Sequence, residues 1–152
     1  MVASGSGLRL EELAQNLFDV VTQFCLAVPR GRRRAGDLKE VEFLTLSILH
    51  HHDTLIVGDI QRMLGVLPAQ MSRIIRSLET RDQPLIGCRI NPQDKRKIDV
   101  VLTPAGESAH HDYQTSRVSS ISAFLARLPD EDLDQLNQLL HKMQDLISQN
   151  GS

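Results

Sequence analysis
Val57-Gly58-Asp59-Ile60-Gln61-Arg62-Met63-Leu64-Gly65-Val66-Leu67-Pro68-Ala69-Gln70-Met71-Ser72-Arg73-Ile74-Ile75-Arg76-Ser77-Leu78-Glu79 is the stretch whose reading decides the fold. Its first half predicts a short helix from Gly58 to Leu64, closed by Gly65 where a left-handed residue usually ends a helix. Pro68 suits the first turn of a second helix, because its φ is already fixed and its missing N–H would have had no partner there. Two helices joined by a short glycine-containing turn read as a helix-turn-helix. The second helix divides by period, with Met71, Ile74, Ile75 and Leu78 on one face and Gln70, Arg73, Arg76 and Ser77 on the other. One face is core, and the other is cationic and hydrogen-bonding. That second face suits a major groove, where Arg forks onto guanine, Gln onto adenine, and Ser serves base or phosphate. The candidate reading residues on this helix are Ala69, Gln70, Ser72, Arg73, Arg76 and Ser77.

Downstream, Leu85–Ile90 and Ile98–Leu102 alternate as strands do, with Ile86, Cys88 and Ile90 set against Ile98, Val100 and Leu102. The connecting Asn91-Pro92-Gln93-Asp94-Lys95-Arg96-Lys97 is basic at its tip. A cationic hairpin beside a reading helix is a wing, placing charge against the flanking backbone or in the minor groove. Asp94, Lys95, Arg96 and Lys97 are its candidate contact residues.

These two motifs resemble those of the MarR family of transcription regulators. Val57–Ile60 and Met71–Glu79 look like that family's paired helices, and Asn91–Arg96 continuing to Val100-Val101-Leu102-Thr103-Pro104-Ala105-Gly106 looks like its wing and the start of the following helix. The resemblance implies that Arg96 is the wing-tip arginine and Asp94 the acid that holds it. The chain departs from the family pattern at Gln61, usually a small residue, and at Asp82-Gln83-Pro84, usually glycine before the first wing strand.

Bulk properties fit this outline. At 152 residues and 41% hydrophobic content the chain is sized for one core. No apolar run reaches membrane-spanning length and Met1–Gly7 lacks the features of a signal peptide, so the expectation is a cytoplasmic protein with no membrane contact. Cys25 and Cys88 form no disulfide pattern. The formal net charge of −2 is unevenly spread, with the arginines and lysines from Arg30 to Lys97 crowding the first two thirds and acids from Asp99 to Asp145 dominating the rest. A basic reader joined to an acidic remainder suits a DNA-binding lobe with a second lobe attached.

Upstream, an apolar stripe of Leu10, Leu13, Ala14, Leu17, Val21, Phe24, Cys25 and Val28 predicts an amphipathic helix over Leu8–Val28, ended by Pro29 and Gly31. Arg30–Gly36 reads as a basic link. Asp37 is the expected cap of the next helix, with Glu40 completing a capping box and Val41, Leu44, Thr45, Ile48 and Leu49 forming its buried face. That helix closes on His50-His51-His52, and Thr54–Val57 reads as an extended link. Beyond the wing, Thr103 caps and Pro104 opens a long helix toward Leu128, with a thin stripe of Ala105, Ala109, Tyr113, Ile121, Phe124 and Leu125. After Pro129, the acidic turn Asp130-Glu131-Asp132 starts a last helix whose Leu133, Leu136, Leu139, Leu140, Met143, Leu146 and Ile147 form a near-heptad seam.

A small winged helix has little left for such end helices to cover, so they are expected to pack on a second copy, as the resemblance also implies. The fold class expected is mainly α (α+β): a winged helix-turn-helix with a two-stranded hairpin wing and long terminal helices. Residues 1–152 would form one MarR-like domain, with 37–103 the DNA-binding lobe and 8–28 and 104–149 the dimerisation helices.

Other functions read less well. Glu107 and His111 lie at i, i+4 on one helix face, and Cys25, Glu40, Glu42 or His50–His52 could join them around a metal. No CxxC or HxxxH pair occurs and a histidine run also complements a helix dipole, so no metal or cofactor is assigned. Some MarR relatives sense peroxide through a cysteine in the first helix, but Cys25 sits beside Phe24, Leu26 and Ala27 and reads as core, as does Cys88 in its strand. A small organic effector fits the family arrangement, with Phe18, Phe24, Phe43 and Tyr113 the aromatic groups at hand. No phosphate loop, nucleophile elbow or HExxH supports an enzyme. The expectation is a homodimeric repressor, released by an effector, on a pseudo-palindromic operator in double-stranded DNA. A metal- or redox-responsive regulator of the same fold and a winged-helix protein-interaction module are the alternatives.

Overall fold
A computed structural model of the chain describes residues 2–27 and 37–151. They fall into two units, one holding the first helix and the other everything from Asp37 onward. The first unit is α1 (Val2–Ala27), which begins earlier than its apolar stripe predicts, because glycines weaken a helix without breaking it. The end expected at Val28 and the basic link to Gly36 lie outside the described residues. Taken by itself α1 exposes Leu10, Leu13, Leu17 and Val21. Cys25 is exposed too, which corrects its reading as a core cysteine: α1 on its own offers no core in which to bury it.

The second unit runs α2 (Glu40–His51), β1 (Leu55–Ile56), α3 (Val57–Leu64), α4 (Pro68–Glu79), β2 (Ile86–Ile90), β3 (Ile98–Leu102), α5 (Pro104–Leu125) and α6 (Asp130–Asn150). The capping box of α2 is displaced from the expected Asp37 and Glu40. Lys39 occupies the cap, and its N–H donates to Glu42 Oε1 at 2.8 Å. The displacement follows from burial: Glu42 faces inward and reaches back over the helix start, leaving Glu40 in solvent. The buried face turns with it. Thr45, Leu46 and Leu49 are buried while Leu44 is exposed, since Leu46 and not Leu44 falls on the arc shared with Glu42 and Leu49.

The helix-turn-helix forms as its punctuation predicts. Gly65 closes α3 at φ 67°, the left-handed conformation in which a side chain would be strained, and its N–H reaches the carbonyl of Gln61 at 3.0 Å. Pro68 opens α4, whose Met71, Ile74 and Leu78 are buried against Leu46, Leu49, Ile60, Leu85, Ile86 and Val100 in a single core, with Ile75 packed on its edge. These apolar side chains hold the unit together, each fully buried one contributing about 1.5–3 kcal/mol.

The hairpin register is as expected, with Ile86 opposite Leu102, Cys88 opposite Val100 and Ile90 opposite Ile98. The wing is not a two-stranded hairpin alone, however. Leu55 and Ile56, read from sequence as a link, form a third antiparallel strand on the other side of β3, giving the order β1-β3-β2. Two residues are too short to show alternation, and the pairing arises because β3 would otherwise leave an unpaired edge.

Thr103 joins the sheet to α5. Its hydroxyl donates to the Pro84 carbonyl at 2.6 Å and accepts from the Gly106 N–H at 3.0 Å, while its own N–H donates to the Leu85 carbonyl at 3.1 Å. This brings Gly106 hard against the strand, where a Cβ would lie 2.0 Å from the Leu85 oxygen and 2.8 Å from Leu102 Cδ1. Beyond Pro129, α6 leaves Leu139, Leu140, Met143, Leu146 and Ile147 exposed. Among the described residues no helix is long and apolar enough to cross a membrane. Gly106→Ala should therefore cost about 3 kcal/mol, the upper end for overpacking, read as a lowered urea midpoint with the slope unchanged.

Candidate nucleic-acid interface
The outward face of α4 carries Ala69, Gln70, Ser72, Arg73 and Arg76, all exposed. Its partners distinguish these residues. Ser72 donates to the Pro68 carbonyl at 3.1 Å, keeping oxygen lone pairs for an incoming donor. Ser77, also exposed as a residue, directs its hydroxyl inward and donates to Glu42 Oε2, so it braces α4 as well as lying beside the outward face. Among the described residues neither Arg73 nor Arg76 has a carboxylate within ion-pair distance, whereas Arg62, Arg81, Arg89 and Arg96 each have one. Two cations without acidic partners on the exposed face of an amphipathic helix offer their full charge to an outside anion.

The wing loop is built around Asn91. Its side-chain oxygen accepts from the N–H groups of Gln93 at 2.9 Å and Asp94 at 3.0 Å, an Asx turn, and its amide donates to the buried Asp99 at 2.9 Å. Asp99 also faces the Arg89 guanidinium at 3.9 Å. At the tip, Asp94 Oδ1 accepts the Arg96 N–H at 3.0 Å and its Nε at 3.3 Å, which is the pairing the family resemblance implies. The backbone N–H of Arg96, then its side chain, hold the Asp94 carboxyl below the usual carboxylate range, with Lys97 assisting. Lys95, Arg96 and Lys97 are exposed around this anchor, the Arg96 side chain to 91%. The roles of Asn91 and Asp99 were not read from the sequence, although Asn two residues ahead of Gln93 is the signal that an Asx turn leaves.

A second constellation joins α2 to α5. Four rings alternate between the helices in one column: Tyr113, Phe43, His110 and His50. Their centroids are 4.2 Å, 5.1 Å and 4.6 Å apart in turn, with interplanar angles of 18°, 7° and 21°. Arg117 covers the Tyr113 end at 4.9 Å from the ring centroid, and Glu107 meets His50 Nδ1 at 2.9 Å at the other. Ser47 Oγ lies 2.9 Å from His110 Nε2. Of the residues considered as metal ligands, Glu107 pairs with His50, Glu42 serves Ser77 and Arg81, and His111 stands exposed on α5. Among the described residues no three His, Cys, Asp or Glu side chains gather as metal ligands would. Burial holds the Cys88 thiol up at about 12, with Glu79 adding to the shift, so at neutral pH it is a packed thiol.

Two titrations matter to this assembly. Burial pushes the His110 pKa below its ordinary value, aided by repulsion from His50, His51 and His111 and opposed by Glu107. Burial raises the Glu42 carboxyl, but bonds from Ser77 and the Lys39 N–H and the charge and hydrogen bonding of Arg81 outweigh it and leave the group below its usual range.

The model of the MarR family matches residues 38–98. No curated protein matches the chain by sequence. Among solved structures, YusO from Bacillus subtilis shares 20% identity over 90% of this chain and 94% of its own, with a TM-score of 0.68. A MarR mutant from E. coli shares 16% over 91% and 95%, with a TM-score of 0.64. BpsR from Bordetella bronchiseptica, whose DNA binding is regulated by 6-hydroxynicotinic acid, shares 20% over 88% and 98%, with a TM-score of 0.62. At these identities the likeness is one of fold.

The titrations give a pH dependence. A histidine with a depressed folded pKa contributes stability that is present above its unfolded value of 6.5 and lost as pH falls, because the unfolded chain then binds the proton more readily. Thermal melts should therefore show stability declining from pH 7 toward pH 5, and His110→Gln should flatten that decline. A further loss, as pH falls through and below 4.5, belongs to Glu42 and should persist in His110→Gln.

Proposed function
We propose that this chain, whose residues 38–98 match the model of the MarR family, is a transcription regulator of that family that reads double-stranded DNA as a homodimer. The observation that carries this reading is the pairing of an outward α4 face holding Arg73 and Arg76 without acidic partners with a wing tip holding Lys95, Arg96 and Lys97. Gln70, Ser72, Arg73 and Arg76 serve as base readers, with Ala69 and Ser77 at the margins of the same surface. The wing residues grip the flanking backbone, Asp94 acting by holding Arg96.

The exposed seam of α6, with Val118, Ile121 and Phe124 of α5, supports dimerisation, since such a face needs a partner to leave water. In this reading 37–103 is the DNA-binding lobe and 8–28 with 104–149 the dimerisation helices of one functional domain. A two-fold dimer spaces its reading helices about 34 Å apart and selects a pseudo-palindromic operator. Repression follows from a dimer occupying a promoter, and release from an effector that binds one spacing of the readers better than the other. BpsR responds to a small aromatic acid, and the Phe43–Tyr113 stack with Arg117 over it offers chemistry for a flat anionic ring. The protein works in the cytoplasm with its DNA.

The competing reading is a winged helix that binds protein. Salt dependence separates the two, because releasing counterions from DNA gives a steep slope. On sequences selected from a randomised pool, Arg73→Ala should cost about 1–3 kcal/mol at one base position. Lys95→Ala should weaken all sequences alike and reduce the salt slope by about one. Equal effects of Arg73→Ala on every sequence would refute its base reading. Leu140→Asp should halve the mass in solution, and an unchanged mass would sink the α6 seam as the interface.

A further inference from the structure
The turn before α4 sorts two adjacent apolar residues in opposite directions. Val66 is half-buried and packs against the core, whereas Leu67 is 74% exposed, more than any other large apolar side chain among the described residues. Leu67 occupies the N-cap of α4, a position where Ser, Thr, Asp or Asn stabilises a helix, and its side chain makes no capping bond. Exposed Pro68 and Ala69 follow, so α4 presents an apolar tip ahead of the polar Gln70, Ser72, Arg73 and Arg76. Phosphate offers such a tip no apolar contact, and the C–H groups of the sugars are the same at every position and carry no sequence. The base edges of the major groove are donors and acceptors with one apolar exception, the 5-methyl group of thymine. The arginines behind the tip and the cations of the wing select an anionic duplex as the occupant.

We propose that Leu67 is a further base-reading residue, packing its isobutyl group on the 5-methyl of a thymine at one end of each half-site. The inference rests on the reading of α4 as the DNA-reading helix and adds to it a preference no hydrogen-bonding residue supplies. It also accounts for an N-cap that forgoes a stabilising hydroxyl: a serine there would serve the helix and lose the methyl contact.

The test uses full-length protein and duplexes recovered by the wild type from a randomised pool. Each thymine of a half-site is replaced singly by deoxyuridine, which keeps the base pair and removes only the methyl. One replacement should weaken wild-type binding roughly fourfold, the worth of one methyl group taken out of water. The same replacement should leave Leu67→Ser indifferent, while that variant melts at a higher temperature than wild type because it gains a cap. A recovered half-site without thymine, a wild-type protein indifferent to uridine at every position, or a Leu67→Ser protein as sensitive as wild type would each overturn the inference. Leu67→Ala, which shortens the side chain without adding a polar group, gives the same comparison if Leu67→Ser does not fold, and uridine sensitivity as large as that of wild type in Leu67→Ala overturns the inference. Sequence-specific binding without methyl sensitivity removes Leu67 and leaves the regulator reading standing; a pool that yields no preferred sequence removes both.

Discussion
A single buried carboxylate ties the start of α2 to the end of α4. Glu42 is 2% exposed, yet it accepts from the Lys39 N–H at the start of α2, from Ser77 on α4 and from Arg81 just beyond it. A charge that far from water is tolerated only when its lone pairs are taken up, and removing one partner of such a pair typically costs about 3–5 kcal/mol. The donors arrive from two stretches of chain, Lys39 at the start of α2 and Ser77 with Arg81 at and just beyond the end of α4, so the carboxylate pins one to the other. Burial of Met71, Ile74 and Leu78 turns one face of α4 inward and leaves Arg73 and Arg76 outside; the Glu42 contacts fasten its C-terminal end in that pose.

The wing obeys a similar rule with a different anchor. Asp99 on β3 is buried and holds Asn91, whose side chain folds the loop that carries Asp94 and Arg96. The charged tip is therefore fastened through hydrogen bonds to the sheet, and the sheet is fastened to the core through Ile86 and Val100. With β1 pairing along the other side of β3, the wing shares its root with the segment entering α3. The exposed face of α4 and the wing tip are thus carried on one core, as the proposed reading of a duplex by both requires.

Much of this was legible in the sequence because it is written in local chemistry. Gly65, Pro68 and Thr103-Pro104 punctuate the backbone through φ restrictions and caps that act within a few residues, and the structure places α3, α4 and α5 as they predict. Alternation set Ile86, Cys88 and Ile90 against Ile98, Val100 and Leu102, as the strands pair. What escaped depends on residues far apart. The pairing of Leu55–Ile56 with β3 has no periodic signal in two residues. The burial of Glu42 and the displaced cap of α2 arise from Ser77 and Arg81, 35 and 39 positions on. The ring column needed the knowledge that Phe43, Ser47 and His50, spaced along one face of α2, meet His110, Tyr113 and Arg117 along one face of α5. Cys25 was misplaced because an apolar neighbourhood in sequence does not ensure a covered one in space.

The interleaved column of Tyr113, Phe43, His110 and His50 has a mechanical consequence. Phe43 sits between Tyr113 and His110 of α5, and His110 between Phe43 and His50 of α2, so rings of the two helices interlock like the teeth of two combs. Displacing α5 along the stacking direction would drive one ring into the next, and the contacts of His110 with Ser47 and of His50 with Glu107 fasten the same interface beside the rings. The register between the lobe that holds α4 and the helix that leads to α6 is thereby keyed by side-chain shape.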